Sequence, residues 1–536
     1  MYIPSCNIEK SGIPRIEIPV RLRELDEEVL KHYLPKCVTK LKQNAKKIQY
    51  LKKFTDGTYQ EIDDRLLEIK TSGNANHKIK ENHAYEIVQF KEGFRLGNKR
   101  QLVNKEGIEN NDVSYIEKFM TDAGCESKIM EWVHDLYSTG IATTFIMQRG
   151  DIFSDSGEGE NRKVTYLPAD DYDVKVNAPF VYETVNCEEN AVVYSSCIGE
   201  SGLKDLFCIN IANVWNRDTN QTEEVVTVYT RQKVYEWRNG YGQNELKEIG
   251  NNLNAIYGEL PMTEHSLNKT RISPVEVIYD MLNAVNLLVS LEMNSAEDKV
   301  NQLLVFLNCN LKDDDGDDVS IDEMYKNGAI AVTGSVGDRA ADVKAITNEL
   351  DYTQTSVLKE QLLTRMFDII GVPLASASVS SGNNEAAYLG GGWTNANIIM
   401  NRDIVYGERS EREELRKIIK ICKLNANNPV QSIHANEIDI KYNINQSNNY
   451  VAKSQAMQNL NDIGFDIADI IKAIPFFGDE EGVAKRCKEN QEKKAEQEKE
   501  KASQSQQTAL TGDNLAGQQK QQQADQTTAE QAKGVQ

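Results

Sequence analysis

The residues best placed to do chemistry are carboxylates. Asp313, Asp314, Asp315, Asp317 and Asp318 crowd around Gly316, and Asp170, Asp171 and Asp173 form a second group. Clustered carboxylates can hold a divalent cation, and a metal-dependent nuclease would use one to cut a phosphodiester. The spacing does not support a calcium loop: with Gly316 at the sixth position, Leu311 falls first and Asp322 twelfth, and a strand rather than a helix precedes them. A solvated turn or a contact patch for partners is the better reading of 313–318. Asp170, Asp171 and Asp173 follow Leu167-Pro168 and read as a loop. No G-x-x-x-x-G-K-[ST] phosphate cradle exists, since Gly390 to Gly392 run into Trp393 rather than a lysine. The six histidines stand apart from any nucleophile and orienting acid. The expectation is therefore no enzyme, no metal and no cofactor. Any motor that drives a polymer past this protein would have to be another chain.

The acidic turn is carried by two long helices. From Ile272 onward Val275, Ile278, Met281, Leu282, Val285, Leu288, Val289, Ala296, Val300 and Leu303 recur at three- and four-residue steps, the period of a helix with one buried face. Val357, Leu358, Leu362, Met366, Phe367, Ile369 and Ile370 repeat that period on the way back, and Gly371 with Pro373 stops it. Ser273 as N-cap, Pro274 at the first helical position and Glu276 three residues after the cap write a capping box for the first arm. Between the arms, Leu303 to Leu307 and Ala329 to Val332 read as strands, so a small knob sits at the far end of a two-helix stalk. Such a stalk cannot bury its apolar faces against itself, which predicts an oligomer.

With 536 residues, 40% of them hydrophobic, the chain has material for more than one core. Nine scattered cysteines without a C-x-x-C read as reduced thiols rather than a disulfide framework. The N-terminus lacks a basic and apolar signal, and unbroken apolar runs fall short of the ~20 residues that span a bilayer, so neither secretion nor membrane insertion is expected. A formal charge of −21 argues against gripping DNA through its phosphates, although an acidic lumen would let DNA slide without sticking.

Elsewhere, Val29 to Thr55 holds eight lysines and an apolar stripe of Val38, Leu41, Ala45, Ile48 and Leu51, a basic amphipathic helix. A helix is expected from Ser114 to Thr139, with Ile116, Phe119, Met120, Ile129, Met130, Val133 and Leu136 inward. Strands follow at 164–167, 180–184, 191–197, 206–211, 225–230 and 233–238. Trp393 to Leu424 reads as a long helix with Met400, Ile404, Leu415, Ile418, Ile419 and Cys422 inward. Ile438 to Ile444 reads as a strand, Tyr450 to Leu460 and Phe465 to Ile474 as helices, and Lys485 to Lys501 as a mixed-charge helix. Residues 502–536 are too polar to build a core.

Several stretches resemble the portal proteins of siphovirus-type tailed bacteriophages. Phe54-Thr55-Asp56-Gly57 is followed by Asn82, Ala84, Ile87, Val88, Lys91, Gly93, Phe94 and Gly97, which read physically as a helix ended at Gly93 and a tight turn at Gly97. Gly258-Glu259-Leu260-Pro261 with Asn268 resembles the entry to the family's stem, and Ser381-Gly382 the loop after it, although Asn383-Asn384 and the three glycines 390–392 depart from that pattern. The likeness runs from Phe54 to Glu481 in the family's order.

The resemblance implies an α+β portal-like fold assembled as a twelve-subunit ring. Its regions would be an N-terminal wing (1–270), a first stem helix (271–302), a clip (303–347), a second stem helix (348–372), a channel loop (373–392), a long wing helix (393–424), a crown (425–485) and a Gln-rich disordered tail (486–536). It further implies double-stranded DNA passing through the channel, and the terminase large subunit, the capsid and scaffolding proteins and a head-completion adaptor as partners. The place of work would be the capsid vertex of the virion, with assembly in the host cytoplasm. Ser376, Ser378, Ser380, Ser381, Asn383 and Asn384 would face the DNA, and Asp313, Asp314, Asp315, Asp317 and Asp318 would meet docking partners. The nuclease and a non-viral ring scaffold stand as alternatives.

Overall fold

The computed structural model describes residues 10–65, 76–97, 100–105, 108, 110–149, 172–197, 204–216, 220–240, 243–251, 258–300, 352–373, 392–442, 444, 450–467, 470–471, 483, 485–494 and 496–497. It also describes the strand backbones at 153–156, 163–166, 303–307, 309–310, 333–335 and 342–346. Helix and strand are both major components, as expected of an α+β chain. The chain forms two units, residues 1–97 with 110–436, and 98–109 with 437–536.

In the first unit, β1 (Ile16–Ile18) leads into α1 (Glu27–Thr55), then α2 (His83–Leu96). The segment 101–104 supplies β2 (Gln101–Asn104) to the second unit. The first unit resumes with α3 (Asp112–Asp122), α4 (Cys125–Thr139), β3 (Ile141–Gln148), β4 (Phe153–Ser156), β5 (Lys163–Tyr166), β6 (Phe180–Val185) and β7 (Asn190–Ser195). The long strands β8 (Asp205–Asn216), β9 (Gln221–Tyr229), β10 (Lys233–Gly240) and β11 (Gln243–Asn251) follow, then β12 (Met262–Ser266). A six-stranded sheet has the order β1-β7-β8-β9-β10-β11, with β1 parallel to β7 and the rest antiparallel.

Helix α1 begins at Glu27 because Asp26 caps it, accepting from the Val29 N–H at 2.8 Å. Its stripe of Leu30, Leu34, Cys37, Val38 and Leu41 packs on Val193, Phe207, Ile209, Val226, Val228 and Trp237 of the sheet. Burial of each such side chain contributes about 1.5–3 kcal/mol, so this face holds the helix down. Three of its lysines form ion pairs within the chain, Lys42 with Glu224, Lys47 with Glu276 and Lys52 with Asp135.

The single helix expected over 114–139 is two helices. Gly124, at φ +66, turns the chain between α3 and α4, a conformation glycine adopts without the penalty a side chain brings. Met130, expected inward, is largely exposed, while Trp132 is fully buried. Helix α2 also departs from its reading: it runs through Gly93 to Leu96, and the Gly97 N–H donates to the Gly93 carbonyl at 2.8 Å.

The three-stranded antiparallel sheet β12-β3-β6 lies at the centre of the unit, with α4 against it. The stalk follows. α5 (Pro274–Val300) runs into β13 (Leu303–Leu307), which pairs antiparallel with β16 (Asp342–Ile346), Leu303 opposite Ile346. Between them β14 (Cys309–Asn310) pairs with β15 (Thr333–Ser335). The return arm, α6 (Tyr352–Ile370), packs along α5 and ends at Gly371, φ +65. The second strand expected at 329–332 lies outside the described residues. A long helix, α7 (Trp393–Lys423), then returns to the central sheet.

In the second unit β2 pairs antiparallel with β17 (Ile438–Lys441), Leu102 opposite Ile440. This strand is shorter than the expected 438–444. Helix α8 (Tyr450–Ile463) follows, and residues 485–494 and 496–497 are helical. The tract 502–536 lies outside the described residues.

Candidate conduit and docking elements

The loop residues Ser376, Ser378, Ser380, Ser381, Asn383 and Asn384, and the acidic residues Asp313, Asp314, Asp315, Asp317 and Asp318, lie outside the described residues. Their supports are described. The ends of the loop are adjacent: a Cβ placed on Gly392 would lie 3.8 Å from the Pro373 Cα, so the chain leaves α6 and enters α7 at almost the same point. The Asn395 amide donates to the Asp368 carbonyl at 2.9 Å, fastening the start of α7 to the end of α6. Trp393 packs on Phe90 and Phe94 of α2, with ring centroids 6.1 and 5.9 Å apart. Gly371 is needed twice over, for its positive φ and because a Cβ there would come within 2.6 Å of the Ile399 Cδ1.

The stalk is braced at its base. The Ser273 hydroxyl accepts from the Glu276 N–H at 3.1 Å, the expected half of the capping box. The Glu276 carboxylate turns instead to the Gly12 N–H at 3.0 Å and the Lys47 ammonium at 2.7 Å, tying α5 to the N-terminal segment and to α1. Asn268 holds the turn before the helix, accepting from the Ile272 N–H at 3.1 Å and donating to its carbonyl at 2.8 Å. Arg271 takes φ +58, and Gly12 and Gly140 have no Cβ because one would strike the 270–272 backbone.

An extended strap, 76–82, lies along α5. Asn286, Ser290 and Asn294 accept from the N–H groups of Glu81 at 3.1 Å, Ile79 at 2.9 Å and His77 at 2.7 Å. The register follows from geometry: four helical residues rise about 6 Å, and two extended residues span about the same. Glu81 also pairs with Lys359 of α6. Burial alone would raise the Glu81 pKa, but hydrogen bonds from Lys359 and His83 hold it below the usual carboxylate range. Asn82, at φ +43, accepts from Gln60 at 3.1 Å and fills the space left by Gly57, where a Cβ would lie 2.8 Å from its amide nitrogen. The Gly57 and Asn82 motifs thus form one joint under the stalk. α5 is long and apolar enough to cross a membrane by length and composition. The buried Asn286, Ser290 and Asn294 instead serve the strap.

Beneath α7 runs a polar seam that the apolar pattern did not reveal. Asp403, Ser410, Glu411, Glu414 and Lys417 are buried at helical spacing. Glu414 accepts from His265 at 2.9 Å, from Tyr182 at 3.2 Å and from Thr144, residues of β12, β6 and β3. His265 stacks on Trp132 with centroids 4.2 Å apart, and Trp132 donates to Tyr182 at 3.1 Å. Lys417 donates to Thr263 at 2.6 Å. The guanidinium of Arg95 reaches Glu411 at 3.0 Å with both side chains fully buried. Gly407 leaves room for it, since a Cβ there would sit 2.8 Å from Arg95 Nη2. Burial lowers the Lys91 pKa to about 8, although nearby Asp403 works the other way; burial likewise raises Asp403. The seam sets α7, and with it one end of the loop, rigidly on the central sheet.

A braced two-helix stalk with paired strands at its far end, followed by a long helix that begins beside the end of the second arm, is the order of elements the sequence motifs predicted. A family profile described as phage portal protein, SPP1 Gp6-like, matches residues 34–505. The chain belongs to the phage portal protein family. No curated protein matches it.

The portal match spans the stalk, the knob strands, the loop and α7 together. It begins inside α1, so the capped start of that helix and β1 precede it. A portal protein is a structural component of the phage head that takes part in DNA packaging. The seam's carboxylates are taken up by Arg95, Arg402 and the side chains of the sheet, and its ammonium by Glu413 and Thr263. Among the described residues no group of three or more His, Cys, Asp or Glu is placed to hold a metal ion. In this portal the sequence reading found the stalk, its N-cap and its stop, and missed the strap ladder and the seam. The signal for the ladder was available, since Asn286, Ser290 and Asn294 stand four residues apart on one face of an otherwise apolar helix.

Proposed function

We propose that this portal protein closes into a twelve-subunit ring at one vertex of the capsid, with double-stranded DNA passing through the centre during packaging and genome ejection. The stem α5–α6 forms the wall of the channel, and the loop 374–391 its constriction, where Ser376, Ser378, Ser380, Ser381, Asn383 and Asn384 meet the DNA without a cation to hold it. The clip, 303–347, presents Asp313, Asp314, Asp315, Asp317 and Asp318 first to the terminase large subunit and then to a head-completion adaptor. The wing contacts the capsid and scaffolding proteins, and assembly takes place in the host cytoplasm before the ring enters the virion. The observation that carries this reading is the portal match across 34–505, together with a stalk whose apolar residues face outward as well as inward.

Native mass spectrometry and electron-microscopy class averages of the purified full chain test it. The expected result is a closed ring with a central channel, and a strictly monomeric mass at micromolar concentration and near-physiological salt overturns it. Replacing Asn383 and Asn384 by lysine tests the loop. Such a collar of charge should slow packaging at low salt and release it as salt rises, because a duplex carries a phosphate charge about every 1.7 Å of axis. Packaging unchanged at every salt would remove the loop from the channel.

A further inference from the structure

We propose that the outward faces of the two stem helices are made for each other in neighbouring copies, α5 of one protomer packing antiparallel on α6 of the next. The inference rests on the ring reading above and names the residues that close the ring. On α5, Val277, Asp280, Ala284, Leu287 and Leu291 recur at alternating three- and four-residue steps, all on the side turned away from the buried Val275, Ile278, Leu282 and Val285. Val277 is 37% and Leu291 39% exposed. On α6, Gln354, Leu358, Gln361, Arg365 and Ile369 recur at steps of four, three, four and four, away from the buried Met366, Phe367 and Ile370; Leu358 is 46% and Ile369 52% exposed. Three- and four-residue steps keep each stripe on one face of its helix, and the α5 repeat averages the 3.5 residues of helices that interlock at a shallow left-handed crossing.

The two stripes also agree in register. Read back from Leu291 the steps on α5 are four, three, four and three, and read forward from Gln354 those on α6 are four, three, four and four. With about 1.5 Å of rise per residue they stay in step over roughly 20 Å. Leu287 then meets Leu358, Asp280 meets Arg365 and Val277 meets Ile369. A slip of one heptad sets Asp280 against Leu358 in one direction and past the end of α6 in the other, so the charges select a single register.

Both charges are available. Arg365 is exposed and has no ion-pair partner among the described residues. Asp280 forms an ion pair with Lys10 at 2.6 Å and, with its side chain 72% exposed, has room for a second cation. The occupant is a second copy rather than an unrelated protein, because each stripe finds its complement in shape, spacing and charge on this same chain. Within one protomer α5 and α6 run in opposite directions, so an antiparallel contact between copies requires that they point the same way about a common axis. That is a heterologous interface that can close into a ring.

The test compares the wild-type full chain with Asp280→Arg, Arg365→Asp and the double exchange, measuring the ring fraction by native mass spectrometry at one protein concentration. Each single variant places like charges opposite one another at every interface and should lower ring formation at least about tenfold, and the double exchange should restore it. In parallel, Val277→Cys with Ile369→Cys should give, on mild oxidation, a ladder of cross-linked oligomers that the wild type with its native cysteines does not give. Rings at wild-type yield in both single variants, or a cysteine pair that joins no two chains, overturn the interface while leaving the ring intact. A wild-type chain that forms no ring overturns both.

Discussion

Beneath α7, the carboxylates of Glu411 and Glu414 and the ammonium of Lys417 are buried, whereas along the stem Val277, Val357, Leu358 and Ile369 face outward. Both regions run against the common order of apolar inside and polar outside, and they do so for different reasons. The seam is complete within the chain: Arg95 answers Glu411, and His265, Tyr182 and Thr144 answer Glu414. Its groups have lost water and found fixed partners, which gives α7 one position and one register on the sheet. The stem face is left exposed among the described residues, and in the ring proposed above its burial comes from neighbouring copies. The proposed ring would use both, a protomer stiff enough to transmit a fixed geometry and a surface that its neighbours finish.

That contrast breaks most sharply at the seam. Arg95→Ala leaves Glu411 charged and buried without its partner and should lower the stability of the folded protomer by about 3–5 kcal/mol. Replacing both residues by methionine should recover most of the loss, since an apolar pair of similar volume carries no unpaired charge. Chemical denaturation at fixed protein concentration measures both, and an unaffected Arg95→Ala variant would show that the pair does not hold α7.

The strap should respond less. Asn286→Leu leaves the Glu81 N–H without its acceptor and should cost about 1–3 kcal/mol. Amide hydrogen exchange should quicken at Ile79 and Glu81 while the amides of the six-stranded sheet keep their protection. Gly371→Ala comes next, at about 1–2 kcal/mol, from a left-handed backbone that a side chain disfavours and a Cβ that Ile399 must yield to. Its effect should appear at the base of the loop, as faster exchange at the first turn of α7.

The sequence made regular helices legible and long-range polar order illegible, for physical reasons. Val275, Ile278, Leu282 and Val285 announce α5 because apolar burial repeats with the helix itself, and Gly371 with Pro373 marks its partner's end because only local backbone geometry is at stake. Gly93 misled because a glycine inside a helix is permitted when nothing nearby requires the turn. The break at Gly124 had a signal that was passed over, since Met120 and Ile129 stand nine residues apart and so about half a turn out of phase on one helix. Asp403, Glu411, Glu414 and Lys417 look like a solvated face, and only the approach of β12, β3, β6 and α2 makes them interior. Ile404, read as inward among them, is half-buried. The candidate segments 313–318 and 376–384 lie outside the described residues; what the structure describes is the chain on either side of them, the strands β13 to β16 and the adjacent ends at Pro373 and Gly392.

The smallest effect belongs to a buried lysine whose proton is loosely held. Lys91 of α2 is 1% exposed, its ammonium reaching the Gly371 carbonyl at 3.4 Å. Burial, opposed by Asp403 and assisted by Arg402, lowers its pKa from 10.5 to about 8. Below pH 8 the folded and unfolded chains both carry this proton, so Lys91 adds no slope. Between about pH 8 and 10.5 the unfolded chain keeps the proton that the folded chain releases, and stability from this group therefore rises with pH. One proton corresponds to at most about 1.4 kcal/mol per pH unit, and from pH 8 to 9 the gain should be a fraction of that. Lys91→Met should flatten the slope over that interval, measured by denaturation at closely spaced pH values and constant protein concentration. A slope that persists unchanged in the variant would assign the proton to another group, and would mean that Lys91 stays charged against Asp403 throughout.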